Sequence, residues 1–288
     1  KISFFDRMFL QTKSCRNQNT DVILGAIDVK EEIRLNKYIT EAGICSRREA
    51  DRLIESGKVY VDGQRAVLGM KIRKGQKVQV GKKVISGKEE KVVLAVYKPV
   101  GIVCTEDPRT RNNIVRFLNY PVRITYAGRL DKDSEGLLLM TNDGDMINSI
   151  MRAANFHEKE YKVTVDRRIT EGFIREMSEG VHIIDKEKNL DAVTRPCRVY
   201  QEGPYTFRII LTQGLNRQIR RMCDALGYQV RMLKRIRIMN IELGNMKPGQ
   251  SRPLTEQELA GLHRQIEEHS TKSGEKKDTE NSRKMADH

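Results

Sequence analysis

Between Arg34 and Val80 the hydrophobic period changes three times in under fifty residues, and few folds accommodate that. RLNKYITEAG sets Leu35 and Ile39 at i, i+4 and stops at Gly43, the pattern of a short amphipathic helix. Ser46 and Glu49 then form a capping box that opens a second helix, with Ala50, Leu53 and Ile54 on one face and Gly57 at the C-terminal cap. KVYVDGQRAV alternates around Asp62-Gly63, a two-residue hairpin signal. Helix, helix, hairpin in that order predicts a small α+β unit over residues 33–80.

The polar, glycine-bearing stretch GKKVISGKEEK at 81–91 reads as a linker. A second unit is expected over 92–268. VVLAVYKPVGIVCT is a strand pattern interrupted by Lys98-Pro99 and Gly101, and YKVTV and YTFRIILT are further strands. Helices are expected over 170–180 and 216–226, and Thr255 with Glu258 caps a terminal one. Strands mixed with helices predict an α+β fold around a mainly antiparallel mixed sheet. Residues 1–32 show no sustained period and are set apart as an N-terminal extension without assigned function. Residues 269–288 are almost wholly polar and are expected to be a disordered tail, having too little apolar area to offset their ordering entropy.

Charge narrows the functional classes. Basic residues outnumber acidic ones by 53 to 39, and the excess is clustered. Residues 34–83 hold 13 basic and 5 acidic side chains, and residues 214–240 hold 7 and 1. Clustered positive charge is the footprint of a nucleic-acid binder. In the first cluster Arg34, Lys37, Arg47, Arg48 and Arg52 crowd the two helices, where they either grip phosphates or form a solvated face. No apolar run approaches the roughly 18 residues that a membrane helix needs, so a cytoplasmic protein is expected. The five cysteines and five histidines show no metal-ligand spacing, so neither a metal nor a disulfide framework is predicted.

The segment richest in chemistry is YAGRLDKDSEGLLLMTN, residues 126–142. Asp131 and Asp133 stand in a polar loop between Gly128 and Gly136, ahead of the buried-strand pattern LLLM. A calcium loop fails there, because Asn142 stands where a bidentate glutamate is required. Two carboxylates so close in sequence cannot flank a glycosidic bond from opposite faces. A catalytic carboxylate and ordinary turn acids both remain. Near His157 the H-E-x-x-H zinc pattern also fails, since its second histidine would fall at Tyr161.

Three residue sets carry a family resemblance. R-L-N-K-Y-I, G-I-C-S-R-R-E-A-D and the V-x-V-D-G hairpin resemble an S4 RNA-binding domain. The signature G-R-L-D, two residues, Ser, one residue, Gly, four apolar residues, Thr-Asn resembles that of the RsuA-like ribosomal pseudouridine synthases. K-P-x-G at 98–101, K-E-Y at 159–161 and N-R-Q-I-R-R-M at 216–222 follow in that family's order. Within it, H-E-K-E-Y-K-V-T-V-D and G-L-N-R-Q-I-R-R-M-C look closest to members acting on 23S ribosomal RNA.

The resemblance implies isomerisation of one uridine in 23S ribosomal RNA without a cofactor, with a neighbouring ribosomal uridine or a transfer RNA as the alternative substrate; a monomer is expected. It implies Asp131 as the catalytic carboxylate, Tyr161 stacked on the target base, and Arg220 as the cation paired with Asp131. Arg129 would fill the gap that the flipped uridine leaves, and Arg217 and Arg221 would face RNA. A non-catalytic S4-type ribosome-assembly protein is the alternative, needing the basic surfaces but not Asp131.

Overall fold

A computed structural model of the chain describes residues 32–85, 89–152 and 157–268. The expectations for residues 1–31 and for the tail at 269–288 lie outside the described residues.

The first unit is built as the local signals dictate. Strand β1 (Ile33–Arg34) leads into helix α1 (Leu35–Glu41), and helix α2 (Arg47–Glu55) begins where the Ser46 hydroxyl accepts the Glu49 amide. Strands β2 (Val59–Val61) and β3 (Gln64–Arg65) are joined by Asp62 and Gly63, at φ 50° and 82°, the two left-handed positions that a tight hairpin demands. Strands β4 (Lys71–Ile72), β5 (Val78–Val80) and β6 (Lys83–Ile85) complete it. The order is β3-β2-β5-β6, with β1 and β4 as a separate pair. Leu35, Ile39, Ala50, Ile54, Val59 and Val78 close a core of their own. The expected linker is therefore shorter than 81–91: Ile85 buries its side chain in that core and draws 83–85 into the sheet.

The second unit runs through β7 (Val93–Lys98), α3 (Ile114–Leu118), β8 (Thr125–Ala127), β9 (Glu135–Thr141), α4 (Gly144–Met151), β10 (Lys159–Val165) and α5 (Glu171–Glu179). It continues with β11 (His182–Asp185), β12 (Leu190–Val193), β13 (Arg198–Gly203), β14 (Thr206–Leu211), α6 (Gln218–Ala225), β15 (Val230–Ile238), β16 (Ile241–Glu242) and β17 (Ser251–Pro253), then a helix over 256–268. Thr255 caps its helix as expected, with Glu258 returning the bond to the Thr255 amide, and Thr170 caps α5. Helix α6 starts at Gln218, two residues later than expected, after Arg217 in a left-handed conformation at φ 50°.

The main sheet has the order β13-β14-β10-β15-β9-β7-β17, with β16 beside β15 and β8 beside β9. Every pairing is antiparallel except the central one, where β15 and β9 run parallel through only Lys234–Glu135 and Arg235–Gly136. That seam joins two half-sheets with separate cores. One packs Phe173, Met177, Phe207, Ile209 and Met222 under α5 and α6; the other packs Leu137, Leu139, Met146 and Ile150 under α4. A Cβ on Gly136 would stand 2.2 Å from the Arg235 carbonyl oxygen, so the seam closes only over a glycine. The run Leu137–Met140, fully buried, anchors the preceding loop on a strand paired with β7, β8 and β15.

The two units touch through charge. The Lys37 ammonium donates to both carboxylate oxygens of Asp145 at 2.9 and 2.8 Å and lies 3.6 Å from Glu41. Expected to grip phosphate, Lys37 instead clasps the units together, because α1 faces the first turn of α4.

Candidate active site

The loop over 128–134 sits directly beside the parallel seam, and hydrogen bonds from several other segments hold its backbone. Leu130 donates its amide to the Cys104 sulfur at 3.5 Å, and Gly101 donates its amide to the Lys132 carbonyl at 2.7 Å. Arg220 Nη2 donates to the Asp133 carbonyl at 2.9 Å and to the Ser134 hydroxyl at 3.2 Å. Lys98 Nζ donates to the Ser134 carbonyl at 2.7 Å and to the Pro99 carbonyl at 2.8 Å. Arg235 donates from Nε to the Leu137 carbonyl at 2.7 Å and from Nη1 to that of Arg129 at 3.4 Å. A loop clamped by two arginines and a lysine keeps its side chains in one arrangement, as a reactive group requires.

Asp131 projects from this loop into a cleft of about 490 Å³ whose wall also includes Arg129, Tyr161, Arg217 and Arg220. Tyr161 comes from β10 and packs between two cores, with its ring half-buried. Three widely separated segments thus meet at one opening, of the size usual for a small-molecule or nucleotide site.

The arginines divide the work differently from the expectation. Arg217 Nη1 lies 3.7 Å from Asp131 Oδ2 and donates through both terminal nitrogens to Asp133, at 3.2 and 2.9 Å. Arg220 Nε lies 3.4 Å from Asp133 Oδ2, so it meets the neighbouring acid rather than Asp131. The left-handed backbone at Arg217 is the physical reason, since it turns that side chain into the cleft ahead of the helix. Burial pushes the Asp133 carboxyl upward, but the Arg217 hydrogen bond and the Arg220 and Arg217 charges outweigh it and hold the pKa below the ordinary value. Asp133 is the anion that organises both guanidinium groups. Arg221 is not in the wall: it bonds Asp185 of β11 and the Asn216 carbonyl, which removes it from the RNA-facing role expected of it.

Two cations here went unassigned in the sequence. Lys98 and Arg235 are fully and almost fully buried, and burial pushes the lysine's pKa down while Cys104, Asp131 and Asp133 pull it up. K-P-x-G marked the first as part of a pattern, but nothing local marked Arg235, one of three basic residues in MLKRIRI.

Of the other basic residues expected to meet RNA, Arg129 stands exposed at the rim, while Arg34, Arg47, Arg48 and Arg52 are exposed on the first unit. Arg52 is shared with Glu49 at 3.0 Å. Among the described residues no group of three His, Cys, Asp or Glu side chains could hold a metal, and no helix is long and apolar enough to cross a membrane.

Known proteins similar to this chain identify its family. Residues 92–225 match the RNA pseudouridylate synthase family, and residues 33–78 match the S4 domain. The chain is 52% identical over 241 residues to the dual-specificity RNA pseudouridine synthase RluF of Escherichia coli K12, covering 83% of this chain and 81% of that protein. The chain belongs to the RNA pseudouridine synthases. The ribosomal large subunit pseudouridine synthase B of Bacillus subtilis is 34% identical over 80% of this chain and 95% of its own length. A pseudouridylate synthase crystal structure covers 80% of this chain and 99% of its own, with a TM-score of 0.58 at 29% identity.

For a pseudouridine synthase the geometry is economical. The reaction breaks N1–C1′, turns the base and joins C5 to C1′, so atoms are conserved and one carboxylate in a shaped cleft suffices. Tyr161 offers an aromatic face within the same cleft, and the Asp133–arginine cluster fixes charge around Asp131.

Proposed function

We propose that this enzyme converts one uridine of 23S ribosomal RNA to pseudouridine, with Asp131 as the catalytic carboxylate. The observation carrying this reading is the clamped 128–134 loop, which presents Asp131 to the same cleft as Tyr161. Large-subunit ribosomal RNA is favoured by the name of the Bacillus subtilis relative. In this reading the unit over 33–80 docks the RNA through Arg34, Arg47, Arg48 and Arg52, and the unit over 92–268 does the chemistry. The target uridine leaves its stack, Arg129 at the rim takes its place, and Tyr161 stacks on the extruded base. Asp131 then either adds to C1′ or removes the C2′ proton to start glycal formation. Arg217 and Arg220 hold the acidic loop in its ionised arrangement, and no cofactor enters. The enzyme works as a cytoplasmic monomer.

The test is a map of pseudouridines in ribosomal RNA from cells whose only copy carries Asp131→Ala. Loss of one large-subunit pseudouridine is expected. A full set of pseudouridines would favour the non-catalytic assembly role. The words "dual-specificity" in the Escherichia coli relative's name favour a second RNA, and transfer RNA from the same cells should lose a pseudouridine as well.

A further inference from the structure

Of the cations lining the cleft that the mechanism above leaves idle, Lys132 and Arg152 are exposed, whereas Lys159 is half-buried. Lys159 opens β10, two residues before Tyr161 and on the same face, and both side chains line the cleft. Its ammonium donates to the His157 carbonyl at 3.2 Å, and no carboxylate among the described residues pairs with it. Arg217 and Arg220, by contrast, are both committed to the acidic loop. Close by, Arg235 is 2% exposed, and its Nη2 has no hydrogen-bond partner although its other donors are used. Burial, reinforced by the Arg235 charge, draws the Lys159 pKa down to about 8, so the group is still charged at neutral pH. Two like charges with spare donors at the bottom of one cleft are costly in the free protein, and an anion arriving there would relieve that cost.

The chemistry supplies one. When N1–C1′ breaks, its electron pair stays with the base, and the uracil ring becomes an anion with charge shared among N1, O2 and O4. This holds whether Asp131 takes C1′ or the C2′ proton. Attack of C5 on C1′ then consumes the charge, displacing the Asp131 carboxylate from C1′ or, in the glycal route, with Asp131 returning its proton to C2′; C5 loses its proton and N1 gains one, so the sum is an isomerisation. Residues two apart on a strand face are about 6.6 Å from each other. A ring lying on Tyr161 therefore lies within reach of the Lys159 ammonium.

We infer that Lys159, backed by the spare donor of Arg235, is a further catalytic residue that binds the departing uracil anion through its carbonyl edge. The inference rests on the uridine isomerase reading and names the group that stabilises its leaving base. A backbone phosphate is the competing anion, but Arg129 and the rim meet the backbone first, whereas Lys159 lies half-buried at the start of an interior strand.

The test compares Lys159→Met and Lys159→Arg with the parent in single-turnover reactions on large-subunit ribosomal RNA transcribed with uridine or with 5-fluorouridine. Fluorine makes the departing base less basic and blocks the last proton loss, so the second substrate is read as consumption of N-linked 5-fluorouridine. The methionine variant should turn over uridine about 100-fold more slowly, the scale of losing one donor to a developing oxyanion. Its loss on 5-fluorouridine should shrink to under about 10-fold, because a weaker base needs less help. RNA affinity should stay within about threefold, and the arginine variant should keep uridine turnover within about 10-fold of the parent. Equal losses on both substrates, a loss confined to affinity, or no loss would each overturn the assignment. A melting temperature at or above the parent's is expected for Lys159→Met, because the substitution removes a desolvated charge. A parent enzyme that forms no pseudouridine in this RNA would instead overturn the proposed substrate.

Discussion

The arginines of α2 and those around α6 come from sequence clusters that look alike, yet they are put to opposite uses. Arg47 and Arg48 stand exposed on the S4-type unit. Arg217, Arg220 and Arg221 have their guanidinium groups bound to Asp133, to the Asp133 carbonyl and to Asp185. Loose cations are available to phosphate, whereas committed cations shape a protein. A basic cluster in a sequence therefore does not measure how much positive charge reaches the RNA.

The largest effect should come from Asp131, the acid beside the Asp133–arginine cluster. Asp131→Asn keeps the shape but removes the carboxylate, and single-turnover pseudouridine formation should fall by about 10⁴-fold or more. RNA affinity should hardly change. A parallel loss of affinity, measured by filter binding, would break the division between the two arginine sets. Next in size, Arg47→Ala with Arg48→Ala should weaken RNA binding at least about 10-fold at low salt. It should also flatten the log–log salt dependence by about 1.5, while saturated turnover stays near the parent's. An unchanged slope would show that those arginines are not the docking cations.

Arg221→Ala should act on folding instead. Its partner Asp185 is largely buried, so a loss of about 2 kcal/mol is expected in urea titration, with RNA affinity unaltered. Smallest is the terminal cap. The Arg252 hydrogen bond, with the Thr255 amide, holds the Glu258 carboxyl down to about 2. A depressed acid contributes stability above its unfolded pKa of about 4.3 and loses it as pH falls toward the folded value. Glu258→Gln should thus cost under about 1 kcal/mol at pH 7, since the pair is partly solvated, and the difference should close between about pH 4.5 and 2.

What could be read in advance follows the range of the interactions. Caps at Ser46 and Thr255 and the Asp62-Gly63 turn are settled within four residues, and all stand where the sequence puts them. Asp131, Tyr161, Arg217 and Arg220 could be named from short motifs, and the fold brings them to one cleft. Their pairing could not be named, because it depends on the backbone twist at Arg217. Lys98 and Arg235 were hidden for a related reason. Each is a charged residue in a strand, and only the loop laid across it from elsewhere supplies the carbonyls that make its burial tolerable. The β11–β12 hairpin was equally silent, since HIIDKEKNLDAV is polar enough to pass for a loop.

The seam at Gly136 also limits what mutation can explore. Any change of that codon that alters the amino acid adds a Cβ, and the first atom it meets is main chain, which no side-chain replacement elsewhere can retract. Gly63, with open space around it, forbids side chains only by its dihedral angle, so an asparagine can stand in for it. Position 136 offers lineages no such detour, and a saturation library should return glycine alone at the point where the two half-sheets join.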